Sequence, residues 1–123
     1  LDFVGLAKFA NSPVSTISQE SKKRVAIALA LATDPKVVFL DEPAAGINPD
    51  ETDGLAELMK KIVKSGITVC TIEHKMQMIM GLADNIMVLN HGAKIAQGTP
   101  EEIKANPAVI EAYLGGEPVA EIN

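Results

Sequence analysis

Two short apolar runs, each ending in charged residues, constrain the fold of this 123-residue chain more than any other feature. Residues 37–40 end at Asp41 and Glu42, and residues 67–72 end at a glutamate followed by His74. Each run is short, contains β-branched residues and lacks polar alternation, which predicts fully buried strands. Two adjacent carboxylates at the end of a buried strand require a cation, a proton or a catalytic task, so this position predicts a chemical role.

The residues between the two runs predict a helix. Asn48 is a predicted N-cap, followed by a proline at the first helical position and by an acidic residue three positions after the cap. Gly66 is the predicted C-terminal stop. The apolar residues of this segment fall on one face at helical spacing. They are Leu55, Leu58, Met59, Ile62 and Val63.

The order strand, helix, strand predicts a right-handed parallel βαβ unit. In such a unit the carboxyl ends of both strands lie at one edge of the sheet, so Asp41, Glu42 and His74 are predicted to be neighbours. Open α/β sheets bind their ligands at that edge. We therefore expect the functional site there.

Capping and turn patterns predict further helices and a hairpin around this unit. Ser18 is the predicted N-cap of a long alanine-rich helix that ends at Asp34 and Pro35. The remaining predicted elements are a helix over residues 76–83, strands over residues 86–89 and 94–97, a helix that opens with a capping box at Thr99, and a last helix that ends at Gly115 before a loose tail.

Composition and charge exclude several classes of protein. With 47% hydrophobic residues, one modest core and one domain are expected. The net charge of −5 provides no basic face, so direct binding to nucleic acid is not expected. No apolar stretch reaches the roughly 18–20 residues of a membrane span, and no signal peptide is recognisable, so a soluble protein is expected.

Two single residues carry further expectations. Cys70 is the only cysteine, which excludes an internal disulfide and a multi-cysteine metal site. Its apolar surroundings predict a buried thiol in a reducing cytosol. Leu1 stands where an initiator methionine would be, so the chain is expected to be a fragment of something longer.

Four separated motifs occur in a fixed order along the chain. They are VVFLDEP, AAGINPDET, TVCTIEH and IMVLNHGAKIAQGTPEEI. Together they resemble the C-terminal half of the ATP-binding subunit of an ABC transporter, and the resemblance extends from Phe3 to about Gly115. Within that superfamily, the start of the second motif and the ends of the third and fourth are most similar to the subunits that power branched-chain amino-acid importers.

This resemblance implies a partial P-loop NTPase fold of the ABC ATPase type, an α/β architecture with a parallel-sheet core, flanking helices and a C-terminal extension of a hairpin and helices. Residues 1–34 would be the end of the helical subdomain with the signature helix. Residues 35–98 would be the core with the carboxylates and the switch histidine. Residues 99–123 would be the C-terminal helices and tail of the same domain.

The resemblance also implies roles for individual residues. Asp41 would hold Mg²⁺ through its water shell, and Glu42 would polarise the water that attacks ATP. His74 would form a hydrogen bond with the γ-phosphate, while Gly46 and Asn48 would lie in the loop that crosses to the partner subunit. General chemistry agrees with these roles, because phosphoryl transfer depends on positioning and charge stabilisation more than on covalent catalysis.

Residues 17–21 align with the family's signature loop but depart from it. Ser18 is retained and is expected to contact nucleotide, whereas Glu20 stands where the family has its key glycine. Two like charges about 4 Å apart repel by about 1 kcal/mol in water and about 4 kcal/mol at an effective dielectric of 20. Glu20 would therefore weaken nucleotide binding at the opposite subunit's site, unless its carboxylate turns aside to solvent as an ordinary early-helix acid.

A phosphate-binding loop of the form G-x-x-x-x-G-K-[ST] does not occur in the 123 residues, and neither does the family's glutamine loop. Backbone amides and the lysine of that loop cradle the phosphates of ATP. We therefore expect the isolated chain neither to bind ATP tightly nor to hydrolyse it, although its intact parent would be an ATPase.

The leading hypothesis is a segment of an ATP-hydrolysing subunit that energises membrane import of a small solute, in particular branched-chain amino acids. The intact protein would use ATP and Mg²⁺ and would form a homodimer or heterodimer with a second ATP-binding subunit. It would be bound to a transmembrane permease, peripheral on the cytoplasmic face of the cell membrane.

Two alternatives belong to other classes. A non-catalytic interaction or regulatory module derived from an ABC ATPase would explain the altered signature and the missing phosphate loop. It fits less well with the retained Asp41, Glu42 and His74. An ABC ATPase of DNA repair or translation is disfavoured by the acidic charge and by the lack of coiled-coil heptads.

Overall fold

The structure, a computed structural model, describes residues 1–114, and the chain divides into two compact units with a boundary between His74 and Lys75. The predicted helix stop at Gly115 and the predicted loose tail lie outside the described residues. In chain order the elements are α1 (Gln19–Leu31), β1 (Val37–Asp41), α2 (Pro49–Lys64), β2 (Thr68–Ile72), α3 (Met76–Leu82), β3 (Ile86–Asn90), β4 (Ala93–Gly98), α4 (Pro100–Ala105) and α5 (Pro107–Leu114).

Both predicted helix N-caps of the first unit are confirmed. The Ser18 hydroxyl oxygen accepts the backbone N–H of Ser21 at 3.1 Å and so caps α1. The Asn48 side-chain oxygen accepts the N–H of Glu51 at 3.0 Å and caps α2, whose first residue is a proline. Each cap satisfies one of the backbone donors that a helix leaves unpaired at its start.

The predicted parallel pairing around a helix is also confirmed. β1 and β2 run parallel, with Val37 opposite Thr68 and Asp41 opposite Ile72. α2 connects the two strands and buries Leu55, Leu58, Met59 and Ile62 in the core of the first unit. Val63, which was predicted to share that face, is 45% exposed.

The prediction that both strands are fully buried is wrong. Val38 is 4% exposed, whereas Phe39 and Ile72 are 78% and 62% exposed. Neighbouring residues of a strand point to opposite faces. One face of this sheet is therefore covered within residues 1–74, and the face that carries Phe39 and Ile72 lies open. Cys70, which pairs with Phe39, is exposed for the same reason, so the predicted buried thiol is wrong as well.

The second unit contains the predicted hairpin. β3 and β4 pair antiparallel, with an irregularity between Val88 and Leu89. His91 and Gly92 in the turn have φ angles of 48° and 79°, the sign that a two-residue type I′ hairpin turn requires. The Tyr113 hydroxyl of α5 donates a hydrogen bond to the carbonyl of Leu89 and so fixes the last helix to the hairpin.

Helix α4 begins as predicted, since the Thr99 hydroxyl oxygen accepts the N–H of Glu102 at 3.3 Å. The core of this unit combines residues of the hairpin, α4 and α5 with residues of α3 that pack on it. It comprises Val88, Ala96, Ile103 and Val109, with Met76, Met80, Ile86 and Ile95 packed against them. Among the helices described for residues 1–114, none is both long enough and apolar enough to cross a membrane.

Candidate active site

The carboxylate pair lies at the carboxyl end of β1, where the sequence predicts it. Asp41 is the last residue of the strand, is exposed, and stands opposite Ile72. The N–H of Glu42 donates to the carbonyl of Ile72 at 2.8 Å, which extends the pairing of the two strands by one hydrogen bond. Both carboxylates are therefore attached to the same rigid sheet edge.

Glu42 has a backbone conformation that is unusual for its residue type. Its φ angle is +47°, in the left-handed region that favours glycine. A non-glycine residue pays about 1–2 kcal/mol for this conformation, and such strain concentrates at functional sites. The strained backbone turns the chain out of the strand immediately after Asp41 and aims the Glu42 side chain along the sheet edge.

Glu42 and His74 meet at this edge. The His74 Nδ1 lies 3.3 Å from the Glu42 Oε1, with side chains that are 64% and 46% exposed. The imidazole can donate to the carboxylate when Nδ1 carries the proton. In this arrangement the second carboxylate oxygen remains available to accept a proton from a water molecule.

Glu73 is a site residue whose role the sequence reasoning missed. Its Oε2 accepts the N–H of Ala44 at 3.0 Å, and its Oε1 accepts the N–H of His74 at 3.3 Å. The chain supplies only one signal for this role, an acidic residue directly before the histidine at the end of the second strand. Its partner lies 29 positions away in sequence, so the contact could not be found from local pattern.

The loop between β1 and α2 contains Gly46 and Asn48. Its first part is anchored, since Ala44 is fully buried and Ile47 is 6% exposed. The N–H of Ala45 donates to the carbonyl of Glu42 at 3.0 Å. Gly46 is exposed with a φ angle of +77°, which a residue with a Cβ adopts only at a cost. The loop therefore presents an exposed glycine between an anchored turn and the cap of α2.

Ser18 and Glu20 form a separate group at the start of α1. The Ser18 hydroxyl is engaged with Ser21, whose Oγ lies 3.0 Å away. The Glu20 carboxylate forms an ion pair with Arg24, and the Glu20 and Arg24 side chains are 16% and 19% exposed. Arg24 also donates to the carbonyl of Val4 at 2.9 Å.

The pairing of Glu20 changes both expectations about it. The alternative that its carboxylate turns to solvent is wrong, because a mostly buried ion pair holds it against the helix. The repulsion of a bound phosphate remains a prediction, but the positive charge of Arg24 beside the carboxylate reduces it. Glu20, which the resemblance places at the family's glycine, thus carries a side chain that is neutralised by Arg24.

Two family models match the chain in different parts. The model described as "ABC transporter" matches residues 1–45. The model described as "Branched-chain amino acid ATP-binding cassette transporter" matches residues 93–119. The first match includes α1 and the carboxylate pair, and the second includes β4 and the helices that follow it.

Curated relatives match over most of the chain. It is 47% identical over 116 residues to the high-affinity branched-chain amino acid transport ATP-binding protein BraF of Pseudomonas aeruginosa. It is 44% identical over 116 residues to the corresponding protein LivG of Escherichia coli. Each alignment covers 94% of this chain and 46% of the relative. The chain thus spans about half the length of the curated relatives it matches.

A solved structure of an ABC transporter protein has a fold similar to that of this chain. The crystal structure of an ATP-binding cassette of an ABC transporter in its ADP conformation superposes with a TM-score of 0.85 at 29% identity. The superposition covers 94% of this chain and 47% of that protein. The predicted partial α/β fold with a parallel-sheet core and a C-terminal hairpin extension is confirmed.

Proposed function

Because the chain belongs to the ATP-binding proteins of ABC transporters, we propose that it is part of an ATP-hydrolysing subunit that energises the import of a small solute. The observation that carries this proposal is the approach of His74 to Glu42 at 3.3 Å, beside Asp41 at the sheet edge. The relatives BraF and LivG are named as branched-chain amino acid transport proteins, which makes those amino acids the proposed solute.

The site residues have distinct proposed roles. Glu42 orients and deprotonates the attacking water. His74, with both ring nitrogens protonated, donates from Nδ1 to the Glu42 carboxylate and from Nε2 to the γ-phosphate. Support for this division comes from the exposure of the Glu42 side chain, since a general base must be within hydrogen-bonding reach of a water molecule. Phosphoryl transfer needs positioning of water and stabilisation of charge, which a fixed carboxylate and imidazole supply.

Mg²⁺ is the metal that the family implies, and the strand-end carboxylates fit the way it binds. Within residues 1–114, no three acidic, histidine or cysteine side chains form a group that could hold a metal ion. Mg²⁺ is commonly held by one or two carboxylates together with water and substrate phosphates. The exposed Asp41 fits this mode and would hold the ion through its water shell. When bound, the ion would neutralise charge on the phosphate oxygens.

The intact protein would need partners. We assign the exposed Gly46 and the neighbouring Asn48 to contact with a second ATP-binding subunit, identical or different. The start of α1 at Ser18 would face the nucleotide of that subunit. A transmembrane permease would hold the pair at the inner face of the cell membrane. These assignments are supported by the family and by the exposure of the loop.

The proposal is tested by Glu42→Gln in the full-length protein, which removes the ionisable group and keeps its shape. Turnover should fall about 10²–10⁴-fold, the usual contribution of general base catalysis, while the Kd for ATP changes little. Phosphate release and calorimetry measure the two quantities. The matched control is Glu57→Gln, on the exposed side of α2, where the Glu57 carboxylate forms an ion pair with Lys60 at 3.2 Å. Equal turnover of the Glu42→Gln and unaltered proteins would refute the proposal.

The 123-residue chain by itself should be inactive, because it contains no phosphate-loop motif. Calorimetry with Mg-ATP on this chain should detect no tight binding. A micromolar Kd would contradict this part of the proposal.

A second candidate function is a non-catalytic interaction or regulatory module. The observation that favours it is Glu20, a paired acid at the position of the signature glycine. Measured ATP turnover of the full-length protein with its permease decides between the two functions, since a non-catalytic module would show none.

A further inference from the structure

We propose that Glu73 is a positioning residue that couples His74 to the loop of residues 43–48. This inference rests on the proposed function, because it assigns a task to that loop and to His74 during ATP hydrolysis. Glu73 would act through these neighbours and would not touch the reacting atoms.

The two oxygens of the Glu73 carboxylate have different partners. Oε2 accepts the N–H of Ala44 in the loop at 3.0 Å, and Oε1 accepts the N–H of His74 at 3.3 Å. Hydrogen bonds from backbone amides to a carboxylate are charge-assisted and stronger than those between neutral groups. A single side chain thus joins the backbone of the histidine to the backbone of the loop.

Within the described residues 1–114, at least three links hold the end of β1 to the end of β2. The first is the backbone hydrogen bond from Glu42 to Ile72 at 2.8 Å, and the second is the approach of Glu42 to His74 at 3.3 Å. The third is the Glu73 carboxylate. The first is a main-chain bond, and the second involves the proposed catalytic base. Glu73 is therefore the link that a substitution can remove without altering the proposed chemistry.

Burial explains why a displacement would be transmitted. Ala44, at the held end of the loop, is fully buried, and Ile47 is 6% exposed. Buried residues in a packed interior move as a group rather than individually. When His74 shifts on contact with a γ-phosphate, the Glu73 bond carries the shift to Ala44. The exposed Gly46, on the side proposed to meet the partner subunit, then moves with it.

The length and both oxygens of Glu73 are needed. Aspartate is shorter by one methylene, about 1.5 Å, which places its oxygens beyond hydrogen-bonding distance of Ala44 if the backbone stays in place. Glutamine keeps the length but has one oxygen, so it can accept from Ala44 or from His74 and not from both. We expect the order of activity Glu, then Gln, then Asp and Ala.

The experiment measures ATP turnover of the full-length protein with its permease. Glu73→Ala should lower kcat about 10- to 100-fold, the scale of a small misplacement of catalytic groups, with KM for ATP within about twofold. Glu57→Ala on the exposed side of α2 is the matched control and should leave both constants unchanged.

A double-mutant cycle separates positioning from mere structural support. If Glu73 acts through His74, adding Glu73→Ala to His74→Ala should cost nothing further, because the positioned group is already gone. Full additivity of the two losses, or an unchanged kcat in Glu73→Ala, overturns the inference. Should Glu73→Ala fail to fold, Glu73→Gln provides the same cycle with a smaller loss.

Amide hydrogen exchange gives a readout that does not depend on turnover. The amides of residues 44–48 should lose protection in Glu73→Ala and not in Glu57→Ala, and unchanged protection overturns the inference. Absence of turnover in the unaltered protein refutes the proposed function. Normal turnover that is insensitive to Glu73→Ala refutes only the coupling role.

Discussion

The carboxyl edge of the parallel strands and the start of α1 both carry acidic residues at positions that we propose to lie near nucleotide, but their acids are held differently. Glu42 is 46% exposed and its partner His74 lies 32 positions away in sequence. Glu20 is 16% exposed, and its partner Arg24 is one helical turn away. The tertiary fold thus brings the partners at the sheet edge together, whereas Glu20 at the start of α1 pairs with a residue of its own helix.

This difference in pairing indicates which of the two carboxylates can take part in a reaction. The Glu42 carboxylate is oriented by a neighbour and still accessible to solvent, the condition for accepting a proton from water. The Glu20 carboxylate is paired with the cation of Arg24 on its own helix, and such a pair stabilises the helix. The same residue type therefore predicts catalysis in one region and local stabilisation in the other.

After Glu42→Gln, the largest expected effect comes from His74→Ala in the full-length protein. Turnover should fall about 100-fold, since the substitution removes a donor to developing charge as well as the neighbour of Glu42. Phosphate-release kinetics measure this effect. The control is His91→Asn, at the hairpin turn, where asparagine tolerates the positive φ of 48°. Equal losses in both variants would remove the contrast between the sheet edge and the exposed His91.

Ser18→Ala should cost about 1 kcal/mol of stability, because it deletes the cap of α1. Urea unfolding of the full-length protein measures the change. Ser18→Asn keeps a good cap and should restore the stability. If the start of α1 also contacts the partner's nucleotide, ATP turnover falls in Ser18→Ala and stays low in Ser18→Asn. Full recovery of turnover would show that Ser18 acts only as a cap.

Glu20→Gly in the full-length protein should raise turnover about threefold, the effect of removing less than 1 kcal/mol of residual repulsion. Steady-state ATPase assays measure it. Glu20→Gln removes the charge and keeps a hydrogen-bonding group near Arg24, so it separates the effect of charge from that of glycine. Unchanged turnover in Glu20→Gly would mean that the pairing with Arg24 already cancels the repulsion.

The smallest effect concerns the open face of the sheet. Phe39→Ser in the isolated chain should change the free energy of unfolding by less than about 0.5 kcal/mol, because Phe39 is 78% exposed. Leu55→Ala, at a fully buried position of α2, should cost about 2–5 kcal/mol in the same denaturation assay. Similar losses in the two variants would mean that the face of Phe39 is covered in solution.

Most of the local structure could be predicted from the sequence. The caps at Ser18, Asn48 and Thr99 depend on residues three positions apart, so the pattern contains both partners. The parallel pairing also followed from two apolar runs around one helix. The ion pair of Glu20 with Arg24 was within reach of the sequence, since i and i+4 residues adjoin on a helix, but the pattern leaves open whether the side chain prefers water.

Burial and long-range contacts could not be predicted in the same way. The apolar run at Phe39 indicates a strand, but the exposure of each face depends on which elements cover it. Cys70 is exposed for the same reason, because it pairs with Phe39 and lies on the same uncovered face of the sheet. The bond from Ala44 to Glu73 joins two loops that only the pairing of β1 with β2 brings together.

The sequence by itself determined the helices, the strands, their order and the acids and histidine at the strand ends, because capping and periodicity act over a few neighbouring residues. Only the tertiary structure decided that His74 reaches Glu42, that Glu73 holds Ala44, and that one face of the sheet stays open. These features depend on which distant residues the fold makes neighbours. Side-chain distances of about 3 Å are set by packing and backbone register, which no local pattern contains.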